Sequence, residues 1–437
     1  MIGFPQLAAA QVFLLILSVI WFLRRDDELP LLVSGVLLYC SSYRFWAVTS
    51  GLDDWVKIWQ FALSPVTEDK ALQVLGYIVL GQTLLIGTYM YRQKHVLHMS
   101  NSIENPDLLR WLRPRIVIIS LVSLPLVMLA RIIAEAELVK NRSALEISSY
   151  LLLFPFALIG ISILNIALWK AGGYRLLGYK VIGALILLYV AYLTFGPNMR
   201  FQFLGWMAGA AIIIAMNNTR KNRLIILGSA AVLGIAAFAL AGSMRVNASR
   251  VNEASNPALE RFVTANDANM LDGFVLLEQV YPDRLDYTWG MDHLEILLRP
   301  IPRSLWPNKP VGGYANRLGF NDYDEGSTGI SPSLFGSFYA EGGIVGIVVL
   351  SIIYGAGLAK IMSYTIRLQP FACLILRAVV CASLVPMLRG GDIAGSYAWI
   401  GMAYWPCILL LWWKRKSLRI ISTPAVVRPS RLQYRTP

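Results

Sequence analysis

RKNRLIILGSAAVLGIAAFALAG, Arg220 to Gly242, decides what kind of chain this is. Three cations give way to about nineteen consecutive uncharged residues, enough helix to cross the roughly 30 Å of hydrocarbon in a bilayer. A basic cluster against one end of such a run marks the cytoplasmic side of a membrane helix. The 437-residue sequence repeats this pattern from end to end, with a mean hydropathy of +0.56 and only 15% charged residues. That composition belongs to polytopic membrane proteins. Lipid permits only helices and closed barrels to span, and apolar runs of roughly 17–25 residues select helices.

Working outward from Arg220, spans are expected at about 5–23, 30–48, 71–91, 116–137, 148–169, 181–195, 201–216, 224–242, 335–359, 371–388 and 397–413. The first ends at Arg24-Arg25 and has neither a basic start nor a small-residue cleavage site, so it reads as a retained helix. Basic residues follow spans one, three, five, seven, nine and eleven, among them Arg92, Lys94, Arg110, Lys170, Lys180 and Lys414-Arg415-Lys416. An N-terminus outside and a C-terminus inside put all of these clusters on the cytoplasmic side. The expected fold is therefore an all-α polytopic membrane protein of about 11 transmembrane helices with one large extracytoplasmic loop containing short helices. Its parts are a membrane domain over 1–242, the loop over 243–333, a second membrane portion over 334–413 and a basic cytoplasmic tail over 414–437.

The net charge of +13 is read as topology, because the long loop carries more Asp and Glu than Lys and Arg. No nucleic-acid partner is expected. Cys40, Cys373, Cys381 and Cys407 all lie within apolar runs and read as packing residues. No internal repeat is visible, which weakens a transporter reading. Walker-type, dinucleotide, HExxH and CxxC motifs are missing, so no cofactor or metal is expected.

What remains for chemistry is a set of arginines at the extracytoplasmic ends of helices: Arg44, Arg131, Arg200, Arg245 and Arg389. Any one of them could simply snorkel to the interface. Five on the disfavoured side suggest guanidinium forks converging on a phosphate or pyrophosphate. Arg377, deeper in its span, reads better as an ion-pair partner inside the bundle. In the loop, Leu271–Val280 is helix-like, and in MDHLEILLRP (291–300) Leu294, Leu297, Leu298 and Ile301 fall on one helical face, Asp292, Glu295 and Arg299 on the other. The apolar face should dock on the bundle or at the membrane interface. The Pro-rich turn that follows sets Arg303 and Lys309 around Trp306, a suitable site for an anion and a stacked sugar. His293 is the one outer histidine and a candidate base, with Glu295 and Asp272 as competitors; each also has an ordinary reading as a solvated loop residue.

Arg-Pro-Ile-Pro-Arg-Ser-Leu-Trp-Pro-Asn-Lys-Pro (299–310), with Ser331-Pro-Ser leading into Gly336-Ser-Phe-Tyr-Ala-Glu-Gly-Gly-Ile-Val-Gly346, resembles the oligosaccharide repeat-unit polymerases. These Wzy-type O-antigen and exopolysaccharide polymerases are related to the O-antigen ligases. The resemblance implies a metal-independent glycosyltransferase of the GT-C type on the outer face of a bacterial inner membrane. Its donor would be a glycan on undecaprenyl pyrophosphate, its acceptor the terminal sugar of a second lipid-linked unit, with a chain-length regulator as a further partner. By position in the motif Arg299 and Arg303 would hold the pyrophosphate, and His293 is the counterpart of a ligase histidine. Two alternatives stay open: an O-antigen ligase-type glycosyltransferase, and a non-enzymatic lipid-linked saccharide flippase or transporter.

Overall fold

The structure, a computed structural model, describes residues 3–56, 64–93, 106–140, 154–174, 176–195, 199–243, 258–264, 268–298, 301, 305–306, 317, 331–365, 367–391 and 393–413. Among them the chain is helical, without strands. The membrane helices are α1 (Phe4–Arg25), α2 (Leu29–Thr49), α3 (Glu68–Arg92), α4 (Pro106–Lys140), α5 (Ala157–Lys170), α6 (Leu177–Thr194), α7 (Arg200–Ala215) and α8 (Arg220–Ser243). Three short helices follow, α9 (Ala258–Thr264), α10 (Met270–Glu278) and α11 (Met291–Leu298). Then come α12 (Ser333–Thr365), α13 (Pro370–Arg389) and α14 (Ile393–Trp413).

Nine of the described helices are long and apolar enough to cross a bilayer. Two shorter apolar helices, Phe154–Lys170 and Arg200–Ala215, coincide with the fifth and seventh expected spans. A multi-pass, all-α membrane protein is thus the architecture that the sequence led us to expect, and the local signals that start its helices are ordinary ones. Thr67 caps α3 by accepting from the Lys70 N–H, and Glu68 and Asp69 occupy the first turn, where the helix dipole favours anions.

α13 is the central helix: 83% of its apolar window is buried within the protein, against 22–50% for the other spanning helices. It packs along α7, so closely that a Cβ on Gly205 would lie 2.3 Å from the Ala382 carbonyl oxygen. Small residues allow such backbone approach where lipid supplies no hydrophobic drive between helices. α12 packs along α3, α14 along α5, and α1 along α2.

A charge in so buried a helix has to be paired, and Arg377 is. Its guanidinium meets the Glu28 carboxylate and the Asp26 carbonyl, while Arg223 reaches the Asp26 and Glu28 carboxylates. Asp27, wholly buried beside them, accepts from Tyr89 Oη (2.7 Å), Trp21 Nε1 (3.1 Å) and the Leu29 N–H (3.2 Å). Burial, and then the neighbouring Glu28 charge, push the Asp27 carboxyl up from 3.8 to about 6. This network joins α1, α2, α3, α8 and α13 at the end of the bundle opposite the short helices. The four cysteines are buried and unbridged.

α2 contains a π-helical turn, Tyr39–Tyr43, directly before Arg44. Gln11 ties that turn to α1 and α3 through Ser41, Ser42 and Gln82. At the same end α10 is buried against α3 and α12, and α11 takes up the first of its two expected placements, on the bundle, with its polar face instead of its leucines. Asp292 and Glu295 face inward at 6% and 4% exposure, while Leu294 and Leu297 point outward at 44% and 74%. The apolar face does not dock on the bundle, because the inward side is claimed by ion pairs. Among membrane helices an outward apolar face carries no penalty.

Candidate functional site

The short helices build a histidine site against a broken helix. α12 loses helical geometry at Gly342 and at Gly343, whose φ of 62° with ψ of −143° is open only to glycine without strain. Before the break, everything from Ser333 to Gly343 is buried. The segment leading into α11 is fastened to this break: the Thr288 N–H donates to the Ala340 carbonyl (3.0 Å), the Trp289 N–H to the Glu341 carbonyl (2.8 Å), and the Gly290 N–H to the Glu341 carboxylate. His293 is thereby set over Glu341, with Nδ1 2.7 Å from Oε1. Its Nε2 lies 2.9 Å from Tyr354 Oη, which accepts from Tyr397 Oη at 3.0 Å. Because a carboxylate only accepts, Nδ1 carries the hydrogen and Nε2 presents a lone pair, into which Tyr354 donates. The imidazole is 25% exposed and Glu341 3%. A histidine in this tautomer, backed by a carboxylate and reachable from outside, can accept a proton from a hydroxyl.

The competing bases are placed otherwise. Asp272 is wholly buried and binds Arg44, with Nε–Oδ2 at 3.0 Å and NH2–Oδ1 at 3.3 Å, and accepts from the Val56 N–H at 3.1 Å. Arg44 also donates to the Asp53 carboxylate, the Asp54 carbonyl (2.8 Å) and the Thr264 carbonyl (3.3 Å). All five guanidinium donors are thus taken by protein oxygens, leaving Arg44 no face for a phosphate and Asp272 no access to a substrate. Both residues, expected at a site, form a structural clamp. Glu295 sits 3.6 Å from Arg317, which also meets the Asp292 carboxylate. It too is a buried member of an ion-pair group.

Arg200 and Arg389 come together. They open α7 and close α13, and each stacks on a ring of one aromatic pair: Arg200 over Phe238 (4.8 Å) and Arg389 over Phe201 (5.2 Å), the two rings 4.9 Å apart. Phe201 and Phe238 also line one end of an apolar groove of about 320 Å³. From there the groove runs between α2, α7 and α8 to Leu224 and Glu28, a length of roughly 20 Å over the fourteen helical steps from Leu224 to Phe238. Gly35 and Gly228 at its mouth are exposed, so it opens sideways out of the bundle. Its bore, at the lower end of small-ligand sites, suits a segment of an alkyl or isoprenoid chain.

The arginine pair and the histidine share a scaffold. The Gly391 N–H donates to Ser337 Oγ (2.8 Å), and Gly390 pairs with Ser333. Ser333, Ser337 and Glu341 lie one turn apart on one face of α12, so the end of α13 carrying Arg389 is about 12 Å of helix from Glu341. Trp306 is exposed. Arg245, Arg299, Arg303 and Lys309 lie outside the described residues, as does the side chain of Arg131, which stands on α4. Among the described residues no group of three or more His, Cys, Asp or Glu is placed to hold a metal ion.

Glu341, Tyr354 and Tyr397 were missed as site residues. The one signal available was the Glu341-Gly342-Gly343 triplet within an apolar run, since two adjacent glycines mark a place where a spanning helix can break. Comparison with protein families, with curated proteins and with solved structures finds no match to this chain.

Proposed function

We propose that this chain is a membrane glycosyltransferase that polymerises lipid-linked oligosaccharide repeat units on the periplasmic face of a bacterial inner membrane. The donor is a glycan on undecaprenyl pyrophosphate, and the acceptor is the terminal sugar of a second lipid-linked unit. The observation that carries this reading is the pair Arg200 and Arg389, stacked on the Phe201–Phe238 rings at the end of a laterally open apolar groove. That arrangement suits an amphiphile with a long apolar tail and an anionic head. A guanidinium presents a rigid fork of donors whose geometry phosphate oxygens match. Arg299 and Arg303 are proposed to complete the pyrophosphate site.

The chemistry asks for two things. Charge building up on the departing pyrophosphate needs preorganised donors in a poorly hydrated place, which the arginines supply. The attacking hydroxyl needs a base, which is His293. Deleting the gene and resolving the surface polysaccharide on a gel tests the assignment. Loss of long chains with a single repeat unit still attached is the expected result. Loss of all attached sugar would transfer the reading to a ligase, and unchanged chain length would refute both.

A further inference from the structure

We infer that Glu341 is the positioning residue of the transfer reaction, fixing the tautomer of His293 and stabilising the imidazolium that forms, and that Tyr354 guards the reactive nitrogen until the acceptor arrives. The inference rests on the glycosyltransferase reading and deepens it.

The reasoning begins with burial. Glu341 is 3% exposed and lies at the end of a wholly buried half-helix. A carboxylate in such a place is costly unless its oxygens are satisfied. One oxygen takes the Gly290 N–H and the other meets His293 Nδ1 at 2.7 Å, so it is held from two sides. The anchoring is more elaborate than a packing contact requires. Three successive N–H groups, from Thr288, Trp289 and Gly290, bind the segment before α11 to Ala340 and Glu341. They fix the distance between a residue of the loop and a residue of the membrane helix. Gly343, at a backbone angle other residues avoid, turns the chain away immediately after Glu341.

The hydrogens then run one way: Tyr397 donates to Tyr354, Tyr354 to His293 Nε2, and His293 Nδ1–H to Glu341. Nε2 is the only imidazole position left to take a proton, and the Tyr354 hydroxyl occupies the place of an acceptor sugar hydroxyl. When the acceptor displaces it, the acceptor oxygen attacks the anomeric carbon of the donor and its proton passes to Nε2. The bond from that carbon to the pyrophosphate oxygen breaks, and its electron pair leaves with undecaprenyl pyrophosphate. The imidazolium is balanced by Glu341 until the proton passes to water.

The test is a transfer assay in membranes containing the full chain, with a pyrophosphate-lipid-linked repeat unit as substrate. Glu341→Gln is expected to lower kcat at least 100-fold with KM changed less than threefold, and Glu341→Asp to recover part of the loss. Set on His293→Ala, Glu341→Gln should cost nothing more, because a positioning residue acts only through the base. Quantifying folded protein by size-exclusion chromatography corrects for any variant that fails to assemble. Two results would overturn the inference: a Glu341→Gln rate within threefold of wild type, or losses that multiply in the double variant as for an independent structural role. No transfer by the wild-type chain from any pyrophosphate-linked lipid would instead remove the glycosyltransferase reading itself.

Discussion

Replacing Arg44 separates a structural clamp from a phosphate site. Arg44 is wholly buried, and its five donors meet Asp272, Asp53, Asp54 and Thr264. Arg44→Ala leaves Asp272, itself inaccessible to solvent, charged and, among the described residues, supported by the Val56 N–H alone. Breaking a buried pair on one side costs about 3–5 kcal/mol. With an unfolding entropy of ~2.1 cal/mol/K per residue, 437 residues carry about 0.9 kcal/mol/K, so the midpoint should fall about 3–5 °C. Removing both charges with Arg44→Met and Asp272→Leu should restore most of that, since an apolar pair of similar volume needs no desolvation; Asp53, 13% exposed, keeps contact with solvent. Thermal unfolding of the detergent-purified protein reads the shifts. An Arg44→Ala variant with the wild-type midpoint and a raised KM for the lipid donor would refute the clamp and return Arg44 to the ligand site.

Three further outcomes follow from the geometry. Arg200→Ala and Arg389→Ala should each raise KM for the lipid donor about tenfold, the loss of roughly 1.4 kcal/mol of charge-assisted contact; unchanged kinetics in both would detach the arginine pair from the substrate. The Asp27 carboxyl has a folded-state value raised from 3.8 to about 6, so between about pH 4 and 6 the unfolded chain has lost a proton that the folded chain keeps. Stability therefore falls by about 3 kcal/mol as pH rises through that window and levels off above it. In Asp27→Asn that slope should be lost, so it appears by itself in the difference between the wild-type and variant stabilities plotted against pH. At neighbouring Glu28, burial is outweighed by Arg377, so its carboxyl is held low and its opposite slope is common to both proteins. Gly343→Ala places a Cβ 3.0 Å from Tyr287 Oη at a φ of 62° and should cost about 1–3 kcal/mol. It should reduce transfer more than stability, since it displaces Glu341 from His293; equal transfer per folded molecule would count against the break as the device that sets the site.

How much of this could be read beforehand depends on whether the information is local. Span length is local, so helices such as Glu68–Arg92 and Pro370–Arg389 were legible to within a few residues. So was the pairing of Arg377, because a guanidinium inside an apolar run has little alternative. The face of α11 that turns inward was not legible. In a soluble protein the leucines would go inward, but beside a bilayer apolar surface can face either way, and ion pairing by Asp292 and Glu295 decided it. Arg44 and Asp272 are 228 residues apart, and Arg44 directly follows a π turn that no pattern in Tyr39–Tyr43 announces.

The arginines expected at one site divide by what lies beside them. Arg44 meets carboxylates, as do Arg223, Arg317 and Arg377, and a guanidinium neutralised in the bundle serves the fold. Arg200 and Arg389 lie over phenylalanine rings at the end of the apolar groove, which hold a guanidinium in place. A substrate that brings both a long tail and a phosphate head would meet groove and guanidinium together, at the end of the bundle where His293 is also held. The sidedness of the basic residues therefore points to arginines as a class, while their neighbouring side chains distinguish those set against carboxylates from those set over aromatic rings.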